Sequence, residues 1–178
     1  MPEVSRAESL QGGRAAAAAI VAVFAALATL FSNHSSISGL EKRTLAGIMQ
    51  TRAADQYNYY ESSRIKIEIN QALEQSGVVR DAAASRAMDA RVAEEETRSA
   101  NVLRTAAGEE TQANTALAQA ERSLSSYERY EVSATLFDVS VVLISITALA
   151  RGTKLVLWLA GAVTLVGAGY FIAGALHF

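Results

Sequence analysis

An acidic residue, Asp138, interrupts the apolar run ATLFDVSVVLISITALA, Ala134 to Ala150, and is the sharpest chemical candidate in the chain. A charge at the centre of a bilayer costs about 2.5–3.5 kcal/mol, so acids within spans are often functional. Asp138 would serve a proton or cation pathway, with Ser140, Ser145 and Thr147 as polar neighbours on the same helix. Against that, it stands only five residues into the run, where water is nearer, and no other charged residue in the apolar runs can relay to it. A structural or interfacial aspartate is the favoured reading.

The remaining candidates are weaker. His34 and His177, with Glu41 near the first, lack the spacing of a metal site. Glu94-Glu95-Glu96 and Glu109-Glu110 are acidic clusters, but Ca²⁺ needs roughly six to eight oxygens from a bent loop, which a straight helix does not supply. A solvated helix face paired with Arg91 and Arg98 accounts for them better. No phosphate-binding loop, zincin or nucleophile-elbow motif occurs. Cysteine is absent, which removes disulfides, thiol catalysis and thiolate ligands together. A net charge of −2 with no Lys or Arg stripe points away from nucleic acid. The expectation is a protein with no catalytic residues, no cofactor and no metal: not an enzyme.

The elements that hold these residues follow from the apolar runs. Ala15–Phe31 reads AAAAAIVAVFAALATLF without a charge, and Leu155–Phe178 reads LVLWLAGAVTLVGAGYFIAGALHF without an acid, Lys or Arg. With Ala134–Ala150 these make three runs near the length that a helix needs to cross an apolar layer about 30 Å thick. They do not alternate apolar and polar, which excludes barrel strands. Arg6 and Arg14 precede the first run, and Ala26-Leu27-Ala28 has the form of a signal-peptidase site. The run continues past it through Phe31, so the segment reads as an anchor. Small residues four apart, Ala18-Ala22-Ala26 and Ala160-Thr164-Ala168, favour close helix approach in lipid, and Trp158 and Tyr170 suit interfacial anchoring.

The expected layout is a cytoplasmic tail at 1–14, a span at 15–31 and an extracytoplasmic region at 32–131. A second span at 132–150, a basic cytoplasmic loop at 151–154 and a third span at 155–178 follow. Arg151-Gly-Thr-Lys154 carries two positive charges and no negative one, and short basic loops stay cytoplasmic. The tail, with Arg6 and Arg14, falls on the same side. Region 32–131 holds twelve basic and fifteen acidic residues, which long loops carry across regardless of charge.

That region contains four glycines and no proline, and it is dominated by strong helix formers. Both its ends must reach the same face of the membrane, so its helices must turn back. Gly77, in Gln-Ser-Gly-Val, suits the left-handed helix cap and lies near the midpoint. Arms at 32–76 and 78–131 would form an antiparallel helical hairpin, or coiled coil, with Gly108 a kink or a second turn. On the second arm Leu103, Ala106, Glu110, Ala113, Leu117, Ala120, Leu124 and Tyr127 recur three and four apart. On the first arm Ala46, Met49, Ala53, Tyr57, Tyr60 and Ile67 share one face. Ile65, Ile69 and Ala72 share another, and Ile48, Tyr59 and Leu73 a third. One partner arm covers one side, so the other sides call for further subunits or another protein. Tyr57, Tyr59 and Tyr60, with Met49, Ile67, Leu117 and Leu124, are therefore the interface candidates. The alternative places the tyrosines over the hairpin seam with their hydroxyls exposed.

The chain resembles an uncharacterised family of bacterial membrane proteins known only as a domain of unknown function. The matching pieces are Phe31-Ser-Asn-His34, D-Q-Y-N-Y-Y-E-S-S-R-I-K at 55–66, Y-E-R-Y-E-V-S-A-T-L-F at 127–137 and A-L-A-R-G-T-K-L-V-L-W at 148–158. Two departures are Tyr57, where the pattern has tryptophan, and Asp138, where it has a neutral residue. The resemblance implies this architecture and residence in a bacterial inner membrane. It implies no activity and no site residues.

The expected function is that of a non-enzymatic membrane protein, a self-assembling structural or accessory subunit contacting membrane lipid and either its own copies or a larger membrane complex. The rival expectations are an ion- or proton-conducting oligomer using Asp138, and an extracytoplasmic sensor. The topology is testable directly. A reporter fused within residues 80–100 should be silent when active only in the cytoplasm and bright when active only outside it; the reverse pattern contradicts the orientation.

Overall fold

The computed structural model describes residues 2–77, 81–149 and 154–176. They form three helices: α1 at Pro2–Gln75, α2 at Ala82–Leu149 and α3 at Lys154–Leu176, with no strand among the described residues. Each helix is long and apolar enough to cross a membrane. The helices run long because nothing in them stops a helix; the only proline, Pro2, sits at the first position of α1, where a missing N–H costs nothing. Where α1 does end, the chemistry is local. Gly77 takes φ +70°, its N–H donates to the Glu74 carbonyl, and the Ser76 hydroxyl donates to the Leu73 carbonyl. Asp81 then caps α2, accepting the Ala83 N–H at 3.0 Å.

The chain divides into two compact units, one of Met1–Glu41 with Gln119–Phe178 and one of Lys42–Ala118. In the first, α1 buries Val21, Ala25, Ala28, Ser32, Ser35 and Gly39, a strict alternation of three- and four-residue steps. That is the coiled-coil period, carried by Ala, Ser and Gly instead of leucine. α2 answers with Ala120, Ser123, Tyr130, Ala134, Phe137 and Ile144, and adds a second buried row at Ser126, Ser133, Ser140 and Thr147. α3 packs against members of both rows. The Ser133 hydroxyl donates to the Gly167 carbonyl at 2.9 Å. A Cβ on Gly167 would lie 3.2 Å from the Phe137 ring, and one on Gly174 3.0 Å from Tyr130. Ala160, Gly167 and Gly174, seven apart, are the buried residues of α3. Small residues on α3 thus make room for rings on α2. Phe31, Tyr130 and Phe171, one from each helix, lie 5.4 to 5.8 Å apart between centroids, and Phe24 meets Phe137 at 6.0 Å. Such pairs contribute about 0.5–1.5 kcal/mol each beyond their buried area.

In the Lys42–Ala118 unit the same spacing recurs. Ala46, Ala53, Ser63 and Ile67 are buried on α1, with Met49, Gln56 and Tyr60 half-buried between them. On α2 the buried residues are Ser99, Ala106, Ala113 and Ala116, with Val102 and Glu109 half-buried. Polar contacts join α1 to α2 at Tyr57–Glu110, Ser63–Glu95 and Glu74–Ser85.

Several expectations change. α2 runs unbroken through Gly108, so no second turn occurs there. α1 runs unbroken past residues 14 and 31, so the ends of the apolar run are not ends of the helix. The α2 stripe keeps Ala106, Ala113 and Ala120, but its intervening members are Val102, Glu109, Ala116 and Ser123, one residue before Leu103, Glu110, Leu117 and Leu124. Leu103, Leu117 and Leu124 are half-buried beside these positions. Of the small-residue face on α1, Ala22 and Ala26 are exposed; Val21, Ala25 and Ala28 point inward instead. The basic loop at 151–153 and His177 lie outside the described residues.

The tight seam makes a prediction. Ala106 is fully buried and its neighbour Ala107 is exposed. Ala106→Leu should destabilise the chain by about 1–3 kcal/mol through overpacking, whereas Ala107→Leu should be nearly neutral. Thermal melts followed by circular dichroism should separate the two variants; equal melting temperatures would remove the close-packed seam.

Candidate functional site

Two places gather the residues singled out by sequence. The first is the tyrosine segment of α1 in the Lys42–Ala118 unit. Tyr57 donates its hydroxyl to Glu110 Oε2 at 3.0 Å. Tyr59 lies beneath the Arg98 guanidinium, 5.4 Å from the ring centroid. An open groove of about 440 Å³ beside the Tyr59–Arg98 pair is lined by Asp55, Gln56, Tyr59, Arg98, Asn101 and Thr105 among others. Tyr60 is half-buried at a seam position, as is Met49, and Ile67 is buried there. Tyr57 and Tyr59 therefore make side-chain contacts with α2 of their own chain, and Tyr60 lies at a seam position. The crowding in D-Q-Y-N-Y-Y follows from geometry: Tyr60 and Gln56 occupy the seam, and Tyr57 and Tyr59 flank it, reaching over α2 from either side.

Charge shapes this site. The hydrogen bond to Glu110 holds the Tyr57 hydroxyl above its ordinary pKa, with burial and the carboxylate's charge adding to the effect. The Ser63 hydroxyl donates to Glu95 Oε1, pairing a hydroxyl with a carboxylate. Ser63 is fully buried in the seam, so no substrate reaches it. Arg98 over Tyr59 is an exposed cation–π contact of about 0.5–1 kcal/mol. The groove offers hydrogen-bonding groups and an aromatic face, and no nucleophile placed against a base.

The second place is Asp138, in the unit formed by Met1–Glu41 and Gln119–Phe178. Two arginines frame it. Arg14 donates to the Thr147 carbonyl at 2.7 Å, in the last turn of α2, and Arg129 donates to the Ala173 carbonyl at 2.9 Å, in the last turn of α3. The last four carbonyls of any helix lack partners within it, and a cation there also meets the negative end of the helix dipole. Each arginine thus caps a neighbouring helix, a role that sequence reading missed by counting Arg14 only as a topology charge. Asp138 stands midway along α2 between Arg129 and Thr147 and directly after Phe137, which packs on Phe24 of α1 and Gly167 of α3. It is exposed, on the outer side of α2, and makes no hydrogen bond or ion pair among the described residues. Buried Ser126, Tyr130 and Ser133 stand upstream of it on the same helix.

The same unit carries an apolar cleft of about 730 Å³ lined by Ala17, Val21, Ile144, Trp158, Ala160 and Leu165, among others. Its one hydroxyl, on Thr164, donates to the Ala160 carbonyl, leaving a lining without reactive groups. Leu124 packs on Gly39, where a Cβ would lie 3.0 Å from its Cγ, and Leu117 is half-buried. Among the described residues no three His, Asp or Glu side chains come together in a way that could hold a metal. His34 is exposed and already engaged.

A family model described as a domain of unknown function, DUF4337, matches residues 14–177, and the chain belongs to that family. No curated protein and no solved structure matches it.

The Tyr57–Glu110 bond makes a pH prediction. A hydroxyl whose pKa is raised on folding contributes stability that is complete below the unfolded value of about 10 and is lost as pH rises through the folded value. Between roughly pH 9 and 11 the native chain should therefore lose more thermal stability than Tyr57→Phe, which cannot ionise there. Parallel losses in the two proteins would show that the bond contributes nothing.

Proposed function

We propose that this member of the DUF4337 family is a non-enzymatic, multi-pass protein of the bacterial inner membrane. Its α1–α2 pair acts as an extracytoplasmic antiparallel hairpin for assembly with its own copies or with a larger membrane complex. Membrane residence draws on the three long apolar helices and on surfaces in their apolar parts that only lipid or another protein would cover, such as Leu30 at 63%, Leu165 at 74% and Trp158 at 80% exposure. The hairpin draws on the left-handed Gly77 cap and on the contacts 57–110, 63–95 and 74–85, whose first members rise as the second fall.

One observation carries the assembly reading. In the Lys42–Ala118 unit the exposed large apolar side chains are Leu45, Ile48, Ile65, Ile69 and Leu73, all on α1. Ile65, Ile69 and Leu73 lie four apart and form a continuous stripe turned away from α2. An aliphatic stripe in water on one arm only is a surface that assembly would cover. It adds to the tyrosines as interface candidates, of which Tyr57 and Tyr59 already contact α2. Conduction by way of Asp138 draws no support from the packing within one chain, because that residue stands outside the contacts among α1, α2 and α3.

Mass measurement in mild detergent tests the proposal. The native chain should run as an oligomer or with a co-purifying partner, and Ile65→Ser with Ile69→Ser should shift it toward the monomer with its helix content kept. A native chain that is monomeric and alone in every mild detergent contradicts the assembly reading.

A further inference from the structure

The outer side of α2 in the apolar unit presents a second stripe, built of oxygens. Glu131, Thr135, Asp138, Val142 and Ser145 are all exposed and recur at steps of four and three, which places them within one narrow arc of the helix. The hydroxyl protons of this arc are already used: Thr135 donates to the Glu131 carbonyl at 3.0 Å and Ser145 to the Val141 carbonyl at 2.7 Å. Beside exposed Val142, what faces outward is hydroxyl lone pairs and the carboxylates of Asp138 and Glu131, the latter accepting from the Tyr127 hydroxyl. The arc can accept hydrogen bonds and attract positive charge, and it has little to donate.

We propose that this arc docks a membrane helix of a different protein that carries a lysine or arginine at the depth of Asp138. The proposal rests on the membrane reading above and adds a partner chemistry to it. Charge complementarity selects the occupant. A second copy of the chain would set acceptors against acceptors. Among the described residues its Arg and Lys side chains in this unit stand elsewhere: Arg14 and Arg129 are tied to the Thr147 and Ala173 carbonyls, Arg122 lies sixteen residues before Asp138 on α2, and Lys154 opens α3. None lies in the layer of Phe24, Phe137 and Gly167, where Asp138 stands. A carboxylate facing hydrocarbon is retained where a partner pairs with it, and an ammonium or guanidinium from a foreign helix supplies both the charge and the N–H donors that the arc lacks.

The test uses the full chain in phosphatidylcholine vesicles, labelled with a donor fluorophore at a cysteine introduced in place of exposed Ala175, near the end of α3. The chain has no other cysteine. The probe is a Leu/Ala-rich spanning peptide with one central lysine, carrying an acceptor; the control peptide has leucine at that position. Energy transfer should set in at roughly tenfold lower density for the lysine peptide than for the control, and Asp138→Asn should abolish that preference. Equal transfer from the two peptides, or a preference that survives Asp138→Asn, overturns the proposal. So does self-association of the native chain that depends on Asp138 without any peptide, which would make a second copy the occupant. A chain that fails to float with the vesicles sinks the membrane reading itself, a result distinct from docking failure in a chain that does float.

Discussion

Two helices approach closely only where neither carries bulk at the contact, and that restriction governs this chain. The fully buried positions on α1 and α2 are mostly Ala and Ser: Ala28, Ser35, Ala46, Ser63, Ala106, Ala113, Ser126, Ser133 and Ser140. The buried positions of α3 are Ala160, Gly167 and Gly174. Phe137 is the exception on α2, and it fits because Gly167 withdraws opposite it. Tyr130, Ile144 and Ile67 are also buried, while Ile65, Ile69 and Leu73 face outward and form the surface on which the assembly proposal rests.

Small seams also change where stability comes from. Burying an alanine methyl contributes far less than burying a leucine, at about 0.8 kcal/mol per carbon group. The chain compensates with specific contacts. Ser133 reaches the Gly167 carbonyl, Arg14 and Arg129 close the carbonyl ends of α2 and α3, and the rings of Phe31, Tyr130 and Phe171 meet at one level. In hydrocarbon an open helix end is costly, so the two arginine caps matter most if the apolar unit lies in lipid. Ser35 and Ser126, both fully buried, keep hydroxyls without a hydrogen-bond partner in the described structure.

Much of this was legible in the sequence, and the illegible part has a physical cause. The absence of proline after Pro2, the sparse glycines and the long apolar runs announce long helices, and Gln-Ser-Gly announces the end of α1. Helix register was harder. A search for apolar residues three and four apart finds Leu103, Leu117 and Leu124, whereas the helices meet at Val102, Glu109, Ala116 and Ser123. Hydrophobicity marks a seam only when the seam is built of large apolar groups, and here size, not polarity, decides which side faces in. A recurrence of Ala, Ser and Gly at 25, 28, 32, 35 and 39 is the signal that would have found it. The capping roles of Arg14 and Arg129 depend on which carbonyl lies across from them, and no local pattern encodes that.

In the proposed hairpin α1 and α2 double back at Gly77 and press together along a seam rich in Ala and Ser. Its most direct test is a distance. The chain has no cysteine, so spin labels at Glu61→Cys and Ala100→Cys, both exposed positions, would be the only ones present. Double electron–electron resonance should be measured in bilayers, with labelled chains diluted among unlabelled ones. Paired helices about 8–10 Å apart predict a single population of label separations below roughly 30 Å. A continuous helix through the same residues would hold the labels about 60 Å apart, and that value would contradict the account.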